Sequence, residues 1–278
     1  MHWYGWASIP VVFFGFWIYT SMMARSFPSL TGKRILMLIA HPDDEVMFFG
    51  PTLLALTRPE AGNHVKILCL SSGNADGLGE VRKRELVKSV LILGIRSSDD
   101  VLVLDDENFQ DSQNKWDSKK MADLLLTGYA PKMPKLSPKS APETNIDAIV
   151  TFDAGGVSSH PNHYSCYFGA VQFIKTLMSR HSGWECPVAL YTLTSISMWR
   201  KYLFVLDAPF TILACIGRRK EISAMPSPLL FVSGLGGYRA AWQAMVTAHK
   251  SQMVWFRWLY ITFGRYMVMN DLRKVKVA

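Results

Sequence analysis

Cysteine is scarce in this chain: among 278 residues there are four, Cys69, Cys166, Cys186 and Cys215, and no two are spaced as Cys-x-x-Cys. That argues against a structural zinc cage and leaves them as small buried hydrophobes or free thiols. The glycine-bearing loop Ser71 to Gly79 lacks the Gly-x-Gly-x-x-Gly pattern of a dinucleotide site. No internal repeat is visible, and no nucleic-acid-binding motif accompanies the net charge of +8 from 30 basic and 22 acidic residues. At 49% apolar the chain can bury one sizeable core.

The other absence is local. From Trp3 to Ala24 there is no Asp, Glu, Lys or Arg. About 20 such residues in a helix span roughly 30 Å, the hydrocarbon thickness of a bilayer. Trp3, Tyr4, Trp6, Trp17 and Tyr19 stand near the ends, where aromatic belts belong, and Pro10 is tolerable in a membrane helix. A cleaved signal peptide would show a basic n-region and a small-residue cleavage site, and neither is clear. Residues 1–25 are therefore expected to be a single-pass transmembrane anchor. Arg25, Lys33 and Arg34 follow it while no Lys or Arg precedes it, which places the rest of the chain in the cytosol. The end, Lys274-Val275-Lys276-Val277-Ala278, resembles the dilysine retrieval signal of endoplasmic reticulum membrane proteins. An anionic lipid surface accounts for the basic balance at about 1 kcal/mol per Lys or Arg, so the expected partner is a membrane and not nucleic acid.

What is abundant is acid and imidazole at strand ends. His41-Pro42-Asp43-Asp44-Glu45 follows the strand-like Lys33 to Ala40, and His160-Pro161-Asn162-His163 follows the strand-like Ile146 to Asp153 and a Gly155-Gly156 turn. In an open α/β sheet, ligands bind beyond the carboxyl ends of the strands. An acidic pair after a strand is often only a helix N-cap, and a lone His is often a core residue. Two such clusters at equivalent strand ends instead suggest a metal-centred site. A catalytic zinc takes three protein ligands and leaves a position for water, whose pKa falls to roughly 7. Two imidazoles and a carboxylate, with a second carboxylate to take a proton, meet that need; the set does not separate zinc from iron, manganese or cobalt.

With Arg82 and Glu85 in Val81-Arg82-Lys83-Arg84-Glu85-Leu86 between the clusters, the chain resembles the LmbE-like zinc deacetylases from about Lys33 to Ser251. The resemblance implies that His41, Asp44 and His163 hold the metal and that Asp43 is the general base. It implies that His160 stabilises the oxyanion and protonates the departing amine, that Arg82 lies near the sugar or its phosphorylated aglycone, and that Glu45 orients a ligand from behind. Asn162 stands where many bacterial relatives have Asp. The segment Ala248 to Gln252 recurs in the family without an evident role. The N-terminal anchor and size resemble the branch that removes acetate from N-acetylglucosaminyl-phosphatidylinositol, the second step of glycosylphosphatidylinositol anchor synthesis. The alternatives are a deacetylase of a soluble N-acetylglucosaminyl conjugate, which has no need of an anchor, and a non-catalytic membrane scaffold or lipid-binding module, which has no need of the ligands or Asp43.

Strands are expected over 33–40, 65–71, 101–104, 146–152 and 188–194, with helices over 46–57, 79–94, 118–129 and 161–180. This alternation predicts a Rossmann-like three-layer α/β/α domain with a mostly parallel sheet, over 31–278. Residues 131–142 read as an exposed Pro/Lys-rich insertion. The C-terminal third is less regular. Runs at 202–216 and 253–260 fit either membrane-surface contact or core, and Asp207 argues against a second full span.

Overall fold

The computed structural model describes residues 3–132, 140–181, 183–218 and 223–277, with side chains from Ser8 onward. The expected insertion at 131–142 falls mostly outside the described residues.

Val/Ile/Leu-rich runs form the strands, buried on both faces at the centre of the sheet and partly exposed toward the edge, where Lys66 and Leu102 face solvent. These strands are β1 (Arg34–Ile39), β2 (His64–Cys69), β3 (Val101–Val103), β4 (Ala148–Phe152) and β5 (Ala189–Leu193), all parallel. Two later strands, β6 (Leu229–Val232) and β7 (Met269–Val275), add an antiparallel edge, giving the order β3-β2-β1-β4-β5-β7-β6. The helices are α1 (Trp3–Ala24), α2 (Asp44–Met47), α3 (Gly50–Leu56), α4 (Gly79–Ile92), α5 (Ser118–Tyr129), α6 (Gly156–Ser159), α7 (Pro161–Met178), α8 (Met198–Lys201), α9 (Ala208–Ile216), α10 (Leu235–Gln243) and α11 (Trp255–Phe263). The expected three-layer α/β architecture is present, and the chain direction across the sheet reverses between neighbouring β1 and β4. A crevice at their carboxyl ends follows from that topology.

The N-terminal expectation finds no support in the described residues. Among the described residues no helix is long and apolar enough to cross a membrane. The second half of α1 packs against protein. Trp17, Thr20, Ser21 and Ala24 are buried, the Trp17 indole donates to the Ser233 carbonyl at 2.7 Å, and its ring meets Phe204 and Tyr238 edge-on. Ile9, Val11, Val12, Phe14 and Ile18 remain exposed. At the other end Lys274 is no free tail: it pairs with Tyr191 in the sheet.

The C-terminal third is fastened by ions. Arg265, fully buried, donates through Nε to Asp207 at 2.7 Å and through Nη2 to Asp271 at 2.6 Å and Thr211 at 2.9 Å. Arg200 closes on the same Asp207 carboxylate at 2.6 and 2.9 Å. This network ties α8 and α9 to β7, and it explains a charge in the middle of the 202–216 apolar run. Removing one partner leaves buried charge unpaired, at about 3–5 kcal/mol. Arg265→Ala is therefore expected to lower the thermal unfolding temperature by on the order of 10 °C, read by circular dichroism, while an exposed Lys132→Ala control leaves it unchanged.

Candidate active site

Where β1 ends, the chain turns sharply into α2. Asp43 takes up a left-handed backbone (φ 116°), unusual for a residue with a side chain, and Asp44 opens the helix. The Asp44 Oδ2 accepts from the backbone N–H of Ala40 at 3.1 Å and of His41 at 2.8 Å, so the carboxylate is pinned to the strand end. Burial works against its charge, but the flanking His163 and His41 hold it well below the usual carboxylate range.

From the β4 side, Val157 and Ser159 carry positive φ in the α6 turn, and His160 caps α7 by accepting from the Asn162 N–H through Nδ1 at 3.3 Å. The His163 ring stacks on Phe152 with centroids 4.1 Å apart and planes 3° from parallel. Its Nδ1 lies 3.0 Å from the Gly156 carbonyl, which can only accept, so the proton sits there and Nε2 is left facing Asp44 Oδ1 at 3.2 Å. For His41 the assignment is reversed. Nε2 faces Asn162 Oδ1 at 3.0 Å and Asp111 Oδ1 at 3.2 Å, and the Asn162 amide is oriented by its own donation to the Asn114 carbonyl. Nδ1 is thereby free toward Asp44 Oδ2 at 3.8 Å. Asn162 thus orients His41.

His41 Nδ1, His163 Nε2 and the Asp44 carboxylate therefore converge with lone pairs turned inward, a two-imidazole, one-carboxylate donor set that fits a divalent metal. A different triple, His41, His160 and His163, has ring nitrogens all within 4.8 Å. The set containing Asp44 is favoured: its buried carboxylate is already braced by two N–H groups, whereas the His160 ring has Nδ1 engaged in the helix cap and stands partly exposed. Burial and the neighbouring imidazoles lower the pKa of His160, and acceptance by Nδ1 from the Asn162 N–H leaves Nε2 to carry the ring proton.

Asp43 lies beside His41 with its side chain buried. Its Oδ2 accepts no hydrogen bond, although Arg257 Nη2 stands 3.1 Å away and Arg82 Nη2 3.6 Å away. Arg82 is not a free substrate hand: it is buried and donates to the carbonyls of Gly73 at 2.8 Å and Pro42 at 2.7 Å, bracing the loop that carries Asp43. Glu45 does act from behind. One oxygen accepts the Asp43 N–H at 3.0 Å, and the other meets Ser89 Oγ at 2.5 Å and His249 Nε2 at 2.6 Å. This gives the 248–252 segment its role, since Ser251 also caps Glu85 through N–H and Oγ at 2.8 and 2.6 Å.

Two residues escaped the sequence reading. Asp111, in the loop after β3, had one available signal: it follows a strand and so lies at the carboxyl edge of the sheet. Arg257 had none beyond being a charge in an aromatic run. His41, Asp43, Asp44, Arg82, Asp111, His160 and His163 line a cavity of about 700 Å³ together with Lys201, Tyr202 and six residues of α11, among them Trp255, Phe256 and Arg257.

The family model described as GlcNAc-PI de-N-acetylase (PIG-L) matches residues 36–174, which carry both clusters. The chain is 47% identical to N-acetylglucosaminyl-phosphatidylinositol de-N-acetylase of Arthroderma benhamiae, over 96% of each chain. It is 37% identical to the protein of that name from Bos taurus, over 87% of this chain and 83% of the other. Among solved structures it is similar to N,N'-diacetylchitobiose deacetylase from Pyrococcus horikoshii, with a TM-score of 0.53, 15% identity and coverage of 87% and 84%.

The buried His249 ring loses charge stability by desolvation, but the Glu45 carboxylate overrides this and raises its pKa. A raised histidine contributes stability that is full below the unfolded pKa of about 6.5 and is lost as pH rises through the folded pKa. His249→Ala is accordingly expected to cost about 3 kcal/mol near pH 6, the range for a broken buried pair, and less in alkaline buffer. Chemical denaturation at several pH values reads this difference; a cost that grows with pH contradicts it.

Proposed function

Because the chain belongs to the GlcNAc-PI de-N-acetylase family, we propose that it is a metal-dependent hydrolase that removes acetate from N-acetylglucosaminyl-phosphatidylinositol to leave glucosaminyl-phosphatidylinositol. The observation that carries the chemistry is the convergence of His41 Nδ1, Asp44 and His163 Nε2 beside a buried Asp43 whose Oδ2 accepts no hydrogen bond. Zinc is the metal we infer for these ligands; when bound it supplies Lewis acidity toward the acetamide carbonyl and lowers the pKa of water.

The chain's own groups then divide the work. Asp43 takes a proton from the attacking water as general base, held in place by the strained turn and by Glu45 beneath its N–H. His160 donates its Nε2 proton as a hydrogen bond to the developing oxyanion. We assign delivery of a proton to the departing amine to the Asp43 carboxyl, which has taken it from the water. Asp111 keeps the His41 tautomer and stands where sugar hydroxyls enter, and Arg82 sets the loop.

We also propose that the protein works at the cytosolic face of the endoplasmic reticulum membrane, contacting lipid through the exposed Ile9, Val11, Val12, Phe14 and Ile18 of α1 and through apolar side chains near the cavity. Support comes from large apolar side chains left exposed there: Trp199 and Tyr202 at α8, Phe210 and Leu213 on α9, and Trp255, Phe256 and Leu259 on α11. Monomeric soluble surfaces seldom carry such a contiguous patch, and aromatic residues favour the membrane interface.

Acetate release from N-acetylglucosaminyl-phosphatidylinositol by detergent-solubilised protein tests the reading. Asp43→Ala should lose about 100- to 10,000-fold in turnover while retaining bound metal by elemental analysis; His41→Ala should lose both. Chelation should abolish activity and added zinc restore it. Cleavage of a soluble N-acetylglucosaminyl conjugate but not of the glycolipid would leave the chemistry and reject the substrate. For the membrane surface, burying one large apolar side chain is worth roughly 1.5–3 kcal/mol, so Trp255→Ser with Phe256→Ser should lower partitioning onto phosphatidylserine-containing vesicles by about tenfold or more in flotation. Unchanged partitioning would remove α11 from the membrane face.

A further inference from the structure

Three cations line the cavity: Arg82, Lys201 and Arg257. Two are spoken for. Arg82 donates to two carbonyls, and the buried Lys201 ammonium donates to the Val157 carbonyl at 3.0 Å. Among the described residues Arg257 alone of the three makes no hydrogen bond to protein. Its only recorded partner is the Asp43 carboxylate, whose Oδ2 lies 3.1 Å from Nη2 without the alignment of a hydrogen bond.

The position of Arg257 is as telling as its partner. It lies within the first turn of α11, between the exposed Trp255 and Phe256 on one side and Tyr260, which reaches in to donate to the Met47 carbonyl at 2.8 Å, on the other. The guanidinium, one-fifth exposed, therefore lies between the buried Asp43 and the apolar α11 residues proposed above to meet the bilayer. A planar guanidinium fork matches phosphate oxygens in pairs, and a loosely held one exchanges its partner at small cost.

We propose that Arg257 is the receptor for the substrate's phosphodiester: in the protein alone it rests on Asp43, and the bound phosphodiester, one inositol ring from the sugar, draws it away and leaves Asp43 free for the water. The inference rests on the glycolipid reading above and adds to it a source of selectivity. A neutral N-acetylglucosaminide has nothing to offer Arg257, so the guanidinium stays on Asp43 and competes with the water for that carboxylate. Arg257 is thus a residue of substrate choice, and its loss should change the preference between substrates more than the reaction itself.

The test is steady-state kinetics of the solubilised full chain, wild type, Arg257→Gln and Arg257→Lys, on dioctanoyl N-acetylglucosaminyl-phosphatidylinositol and on N-acetylglucosaminyl-inositol, which lacks the phosphate. In the Gln variant the ratio of kcat/KM for the charged over the neutral substrate should fall about ten- to a hundredfold, the size of one charge-assisted hydrogen bond, with partial recovery in the Lys variant. An equal loss on both substrates would show a merely structural role, and an unchanged ratio would exclude phosphodiester contact; either overturns the proposal. Binding of dioctanoyl phosphatidylinositol by calorimetry gives an arm that needs no turnover. Weaker binding by the Gln variant supports the proposal even if the wild type cleaves neither compound, an outcome that would sink the substrate reading by itself. Equal binding by both proteins overturns it.

Discussion

The site depends on one buried carboxylate. Asp44 is ionised at the end of a strand where water is excluded, and such a group is tolerated only if its lone pairs are met. One oxygen takes two backbone N–H groups, from Ala40 and His41, which fixes where β1 must stop and how tightly the chain must turn. The other oxygen looks across to His163 on the neighbouring strand's loop. Binding the two loops through a single residue converts a sheet-topology accident, the reversal of direction between β1 and β4, into a fixed ligand geometry. The left-handed Asp43 is a consequence of that turn and is held by Glu45, whose own second oxygen is met by Ser89 and His249. A chain of hydrogen-bonded buried groups thus runs from the sheet to the C-terminal segment, and each link restrains the next.

The same accounting separates the residues that touch chemistry from those that shape it. Four imidazoles and five acids crowd this end of the sheet, yet their hydrogen bonds give them different duties. His163 and His41 have one nitrogen each taken up by an acceptor, so the other is a lone pair available to metal. His160 has the opposite arrangement, with Nδ1 accepting and the proton left toward the cavity. Identical side chains become ligand or donor according to which neighbour each meets first.

Much of this was legible in the chain because the signals were local. Strand runs at 33–40 and 146–152 match β1 and β4, the His41 to Glu45 and His160 to His163 clusters fall at their carboxyl ends, and helices at 79–94, 118–129 and 161–180 match α4, α5 and α7 within a few residues. What a sequence window does not contain is partners far apart in the chain. Trp17 packs on Ser233, Phe204 and Tyr238, some 200 residues away. Arg82, expected near the sugar or its aglycone, lines the cavity while the carbonyls of Gly73 and Pro42 hold its guanidinium. Asp111 lies in a loop with no periodicity at all.

The C-terminal third shows why hydropathy alone misleads there. A surface that holds Trp199, Phe210, Leu213 and Trp255 outward cannot use those side chains to fasten itself to the core. The fastening falls instead to polar groups beneath: Arg265, Asp207, Asp271 and Thr211 under α9, and Tyr238 and Tyr260, whose hydroxyls reach the Ile261 and Met47 carbonyls, around α11. The usual pattern of apolar inside and polar outside is locally inverted. Such inversion costs stability in water and fits the proposed contact of the outer face with lipid. Because the inverted region also forms the cavity wall that carries Arg257, the surface that would meet lipid and the group nearest the Asp43 carboxylate lie on one short helix. Reaching the site from a bilayer therefore requires no separate path through solvent.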